Sequence, residues 1–97
     1  MNERIKYINL YDYYGELLTD KQKEYFEDYY FDNLTLAEIS ENKEVSRNAV
    51  HKQLKEIEKK LEFYEEKLKL NEKILKLEEL NIDKELQNKI EEIIRGE

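Results

Sequence analysis

Arg47, Asn48, His51, Lys52 and Lys55 follow one another at steps of one, three, one and three residues. On a helix that spacing puts all five on one face. Arg, Asn and Lys are the side chains that bond base edges and phosphates in the DNA major groove. The chemistry open to this face is therefore nucleic-acid recognition, with Arg47, Asn48, His51 and Lys52 reaching bases and Lys55 holding a phosphate. Ser46 can cap the helix start and touch a phosphate as well. The plainer alternative is a solvated face or a protein contact, the usual condition of a charge run. His51 stands alone and is read as neither a pH switch nor a ligand.

No other residues suggest a reaction. The chain has no Cys and one His, so no thiol chemistry, disulfide, transition-metal site or cofactor is expected. Glu27/Asp28 and Glu65/Glu66 are sequence neighbours, and helical neighbours diverge by about 100°. They cannot share a substrate as an acid/base pair. The chain is read as a non-enzyme.

The elements that must position the basic face can be built locally. Thr35 with Glu38 has the form of a capping box, opening a first helix whose Leu36 and Ile39 point inward. Asn42, Lys43 and Glu44 make a polar connection, and Val45 is expected to bury at the corner. Ser46 then caps a second helix. Val50, Leu54, Ile57 and Leu61 give that helix an apolar stripe opposite the basic residues. Two short capped helices joined by a tight turn are the sequence form of a helix-turn-helix.

Of the 97 residues, 39% are hydrophobic and 42% charged, with two Gly and no Pro. So few breakers in a chain this long predict an all-α fold. The net charge of −7 argues against DNA until it is located. Residues 1–45 hold five basic against eleven acidic side chains, and residues 61–97 seven against eleven. Residues 46–60 hold five against two, the one net-positive segment. The acidic remainder weakens nonspecific attraction to phosphates and suits a basic protein or ribonucleoprotein partner.

Around this core, residues 3–18 predict a first helix with Ile5, Ile8, Tyr11, Tyr14 and Leu18 on its apolar face. Gly15 would permit close packing against a neighbouring helix. Thr19 with Gln22 suggests another capping box, for a helix over 20–31 with an aromatic face of Tyr25, Phe26, Tyr29 and Tyr30. These aromatics, with Tyr11 and Tyr14, are read as core rather than as base-stacking platforms. Asp32 and Asn33 form a turn, and Leu34 staples the Thr35 cap. After Ser46 no strong stop precedes Asn81, so one long helix is expected near residues 47–80. Leu54, Ile57, Leu61, Tyr64, Leu68 and Leu75 keep a heptad along it, with Asn71 at the skipped position. The stripe drifts to Leu70, Ile74 and Leu77. Asn81, Ile82 and Asp83 mark a turn, with Asp83 capping a last helix over 84–94 that presents Leu86, Ile90, Ile93 and Ile94. Gly96 ends it. The tail stripe predicts a homodimer.

LYDYYGELLTDKQKEYFEDYYFDNLTLAEISENKEVSRNAV, residues 10–50, closely resembles the YlxM family of small bacterial helix-turn-helix proteins. HKQLKEIEKKLEFYEEKL, running on to Leu68, is similar too. The family's helix-turn-helix looks like region four of sigma factors. The resemblance implies an all-α fold without a winged element, a DNA-binding regulatory role, and an association with the signal recognition particle pathway through neighbouring genes. It implies no enzymatic activity. This chain departs from the family pattern at four places: Ser40 stands where Ala or Gly is usual, Lys43 where an aromatic or aliphatic residue is common, Glu44 for Gly or Asn, and His51 for Tyr.

The expectation is thus a helix-turn-helix domain over 1–61 and a helical extension over 62–97 that packs or dimerises. The expected partner is DNA, or alternatively a signal recognition particle protein. No signal peptide or apolar run near the roughly 20 residues of a membrane span is present, which predicts a cytoplasmic protein.

Overall fold

A computed structural model of the chain describes residues 3–80 and 83–96. It holds six α-helices and, among the described residues, no strand. Helix α1 spans Glu3–Tyr14 and runs into a 3-10 turn at Gly15–Leu17; α2 spans Asp20–Phe26 and widens into a π-helical turn at Glu27–Phe31. Then follow α3 (Leu36–Lys43), α4 (Arg47–Leu68), α5 (Leu70–Glu79) and α6 (Lys84–Arg95). The molecule measures 49 × 21 × 20 Å. Helix α4 is its spine, and α1, α2 and α3 all pack against it.

Both predicted capping boxes are complete. Thr19 Oγ1 accepts from the Gln22 amide while Gln22 Oε1 accepts from the Thr19 amide. Thr35 and Glu38 repeat the arrangement at the head of α3. Bonds from the Thr35 backbone and hydroxyl hold the Glu38 carboxyl below its usual range. Asn33 adopts a left-handed conformation (φ 58°) that reverses the chain between α2 and α3. Leu34 packs onto the edge of the core as expected of a staple.

The core joins Tyr7, Leu10, Tyr14 and Leu18 of the first segment to Tyr25, Phe26 and Tyr30 of the second, Ile39 of α3, and Val50, Leu54, Ile57 and Leu61 of α4. Four positions of the predicted α4 stripe are therefore buried, and the aromatic face is core. Phe26 stacks between Tyr11 and Tyr30, at 4.2 and 4.3 Å.

The face of α1 differs from expectation in part, since Tyr14 and Leu18 are buried as expected. Tyr7, Leu10 and Tyr14 turn inward, whereas Ile5 is 54% exposed and Ile8 and Tyr11 are only partly covered. Helix α1 carries apolar residues at two offsets: the tyrosines of the inward one meet carboxylates of α4, while Tyr11 on the other donates to Glu27 Oε2 (2.6 Å). Tyr7 donates to Glu62 Oε1 (2.7 Å), Tyr14 to Glu65 Oε1 (2.5 Å), and Tyr30 of the π-turn to Glu58 Oε2 (2.6 Å). Glu58, Glu62 and Glu65 fall at i, i+4 and i+7 on α4, so the three bonds form one ladder. Gly15 is buried under a ring of its own helix, not a neighbouring one. A Cβ there would stand 3.1 Å from the Tyr11 ring.

The single long helix over 47–80 does not form. It breaks at Lys69, which is left-handed (φ 55°), and α5 sets off in a new direction. No side chain of Lys69 caps α5. Instead Glu65 accepts from the amides of Asn71 and Glu72, and Tyr14 Oη accepts from the Leu70 amide. The heptad fails for two reasons. Leu54, Ile57 and Leu61 are spent inside the chain's own core, and Leu68 and Leu75 are about half exposed. The drifted stripe is the one that packs, with Ile74 buried and Leu70 and Leu77 partly so.

The expected turn at Asn81 and Ile82 lies outside the described residues. Asp83 caps α6, accepting from the Glu85 and Leu86 amides, and Gly96 ends it in a left-handed conformation. Only half of the α6 stripe packs, Ile90 and Ile94 being partly buried. Gln87 is buried, while Leu86 is 50% and Ile93 78% exposed. Arg95 anchors the helix end to α1, donating to Asp12 (3.1 Å) with its guanidinium 4.4 Å from the Tyr13 ring.

Candidate nucleic-acid interface

Helices α3 and α4 form the helix-turn-helix. The turn is a Schellman closure, with the Glu44 amide donating to Glu41 O and the Val45 amide to Ser40 O. Such a closure usually sets an apolar contact between the positions of Val45 and Ser40. Here Ser40 turns its hydroxyl onto the Ala37 carbonyl (2.9 Å), and Val45 stays 38% exposed rather than buried at the corner. Glu44 is the left-handed residue (φ 56°), a position that favours Gly or Asn. Lys43 does not leave the corner empty. Its ammonium lies over the Tyr25 ring (4.8 Å) and meets Glu24 (3.3 Å) and Asp28 (3.7 Å), tying α3 to α2.

Ser46 caps α4 by accepting from the Ala49 amide (3.0 Å). No acidic residue stands in the first turn of α4, so none within the helix offsets the positive end of its dipole. Arg47, Asn48, His51, Lys52 and Lys55 are all exposed, and Val50, Leu54 and Ile57 on the opposite side are buried. The six candidate residues thus share one end and one face of a single helix. Lys55 differs from the others. Its ammonium is engaged by Glu58 (3.3 Å), whose buried carboxylate also takes the Tyr30 hydroxyl. Lys59, not singled out from the sequence, continues the exposed basic stripe one turn past Lys55. The i, i+4 spacing was the signal that could have found it. Glu41 and Glu44 stand exposed at the turn beside the helix start.

The second segment is braced from below. Arg4 donates to the carbonyls of Tyr29 and Tyr30 (2.8 Å each) and to the Asn33 side chain, which holds the π-turn against α1. Lys6 and Tyr7 both bond Glu62, and these bonds hold its carboxyl below the usual range. Burial and the same carboxylate push the Tyr7 hydroxyl well up.

The family comparison likewise points to a helix-turn-helix. A family model described as "UPF0122: Putative helix-turn-helix protein, YlxM / p13 like" matches residues 1–95. The chain belongs to the UPF0122 family. Among individual UPF0122 relatives, one from Thermoanaerobacter sp. (strain X514) is 55% identical over 49 residues, which are 50% of this chain and 42% of the relative. One from Malacoplasma penetrans is 54% identical over 46 residues, 47% of this chain and 43% of the relative. One from Listeria innocua is 48% identical over 59 residues, 60% and 54% respectively. The matched stretch thus spans about half the length of these curated relatives. Among the described residues, no helix is long and apolar enough to cross a membrane.

Proposed function

We propose that this UPF0122 protein is a DNA-binding regulator that reads the major groove with the first half of α4. Arg47, Asn48, His51 and Lys52 contact base edges, and Lys55 and Ser46 contact phosphates. The observation that carries this reading is the basic face itself: five polar side chains exposed along the N-terminal half of a helix whose other side is fixed in the core and whose first turn holds no acidic residue. Such a helix can enter a groove about 12 Å wide without unfolding its support. Lys55 must share its charge between Glu58 and phosphate, so it serves position more than affinity.

The regulator acts as a homodimer. Its seam lies on α6, where Leu86, Ile90 and Ile93 recur at i, i+4 and i+7 and leave two large aliphatic side chains to solvent. Two copies joined there present two reading helices to two half-sites. The residues before Ser46 and after Lys60 are net negative. That balance favours a second reading, in which the helix-turn-helix is a scaffold and the acidic surfaces hold a basic protein of the signal recognition particle pathway in the cytoplasm.

One titration separates the two. The purified protein is mixed with a pool of genomic fragments at about 50 and 200 mM salt, the range over which phosphate contacts declare themselves. Enrichment of one sequence, with affinity falling as salt rises, is the expected result. Folded, helical protein that retains no fragment at either salt overturns DNA reading and leaves the scaffold.

A further inference from the structure

Two grooves flank the Asp12–Glu16 edge of α1, one against the π-turn and one against the α4–α5 corner. The first, about 470 Å³, is lined by Ile8, Tyr11, Gly15 and Phe31 together with Asp12 and Glu16. The second, about 360 Å³, is lined by Tyr13, Leu17, Leu68 and Leu70, has the chain's own Arg95 on its wall, and shares Asp12 and Glu16 with the first. The two carboxylates, at i and i+4, therefore form a ridge between apolar clefts. Leu17 and Phe31 are about half exposed, although each sits beside one of the clefts. Gly15 lines the first groove, and a Cβ there would press on the Tyr11 ring at 3.1 Å.

The ridge already displays what it accepts. Arg95 of α6 lies against it with its guanidinium bonded to Asp12 and over the Tyr13 ring, the pairing of carboxylate and aromatic face that suits a cation. Lys23 reaches Glu16 from the other side at 3.4 Å. The Asp12 and Glu16 side chains nonetheless remain 65% and 96% exposed, open to further cations. A nucleic acid is repelled by this ridge. A second copy of the chain does not match it either. Its one net-positive segment, residues 46–60, has its apolar stripe buried in its own core and offers no anchors.

We propose that this face of α1 is a docking surface for a basic amphipathic segment of a partner protein. Apolar side chains of that segment enter the Ile8–Phe31 and Leu17–Leu68 clefts, and its Lys or Arg residues lie across Asp12 and Glu16. The surface uses none of the residues assigned to DNA, so it stands or falls separately.

The test uses the full chain and a synthetic helical peptide of about 18 residues, five turns, built of Leu on one face and Lys on the other. Backbone amide shifts are followed by NMR during titration. Shifts centred on Ile8, Tyr11, Leu17 and Phe31 are expected. Asp12→Asn with Glu16→Gln should weaken binding at least about threefold at low salt, and the difference should shrink as salt rises. Glu78→Gln with Glu79→Gln, an equal charge change on exposed α5 positions, should leave affinity unchanged. Circular dichroism of both variants verifies that helix content is kept. Equal weakening by the two pairs, shifts centred elsewhere, or no binding at millimolar peptide each overturns the proposal.

Discussion

Raising the pH should unfold this protein through its tyrosines. Tyr7, Tyr14 and Tyr30 are each less than a tenth exposed and donate to Glu62, Glu65 and Glu58. Burial first, and then the facing carboxylate, push the Tyr14 hydroxyl from 10.0 up to about 12. The same causes raise Tyr7 and Tyr30 further. A phenol whose folded pKa lies above its unfolded one stabilises the fold fully below the unfolded value, and that stability is lost as pH climbs toward the folded value. At pH 11 the unfolded phenols are mostly ionised and the folded ones mostly are not. Linkage then removes about 1.4 kcal/mol per tyrosine, or about 4 kcal/mol for three, relative to neutral pH. A domain this size has roughly 5–15 kcal/mol in all. Lys6, whose pKa is raised chiefly by its bond to Glu62, pulls in the same direction. Tyrosinate absorbance near 295 nm and far-ultraviolet circular dichroism, recorded together from about pH 8 to 12, should show most phenols ionising in one step with loss of helix. Tyr30→Phe should flatten the fall in stability by about a third of the three-tyrosine slope. If all the phenols ionise near 10 while the helix signal persists, the ladder does not hold the three hydroxyls and the reasoning fails.

Other outcomes can be checked on single variants. Glu44→Gly relieves a left-handed non-glycine residue, offset by the entropy of glycine. It should raise stability by about 1 kcal/mol, visible as roughly 4–8 °C in Tm, and should tighten DNA by removing a charge beside α4. Arg47→Ala should cost about 1–3 kcal/mol in affinity for a selected operator at unchanged Tm. Unaltered affinity removes Arg47 from base reading. Ile93→Glu, at a 78% exposed position, should leave helix content intact and convert the dimer to monomer in analytical ultracentrifugation.

What the sequence made legible was chiefly local. The two capping boxes, the Ser46 and Asp83 caps and the Val50–Leu61 stripe depend on neighbours within a turn or two, and each formed as expected. The inward face of α1 followed only at Tyr14 and Leu18, because apolar residues occur on two of its sides and the α4 carboxylates that meet Tyr7 and Tyr14 lie more than 50 residues away. Val45 was misplaced for want of an apolar partner at Ser40. The π-turn at Glu27–Phe31 adds a residue to the helical period, which no residue type announces; Arg4 and Asn33 hold it from elsewhere. The placement of the six candidate residues on one exposed face was readable from spacing, but the diversion of Lys55 toward Glu58 was not.

The corner at Lys69 has a further consequence. Neither Gly nor Pro occupies the stretch from Glu65 to Glu72, so the local sequence does not forbid a straight helix there. The bend is held by Glu65, Tyr14 and three borrowed amides. Straightened, residues 47–80 would make a rod of about 50 Å, against about 33 Å for α4 alone. The tail is therefore folded back by a latch and not by a built-in elbow. Loosening one tyrosine–glutamate bond would trade a compact molecule for an outstretched arm and alter how far from the reading helix the C-terminal end can act.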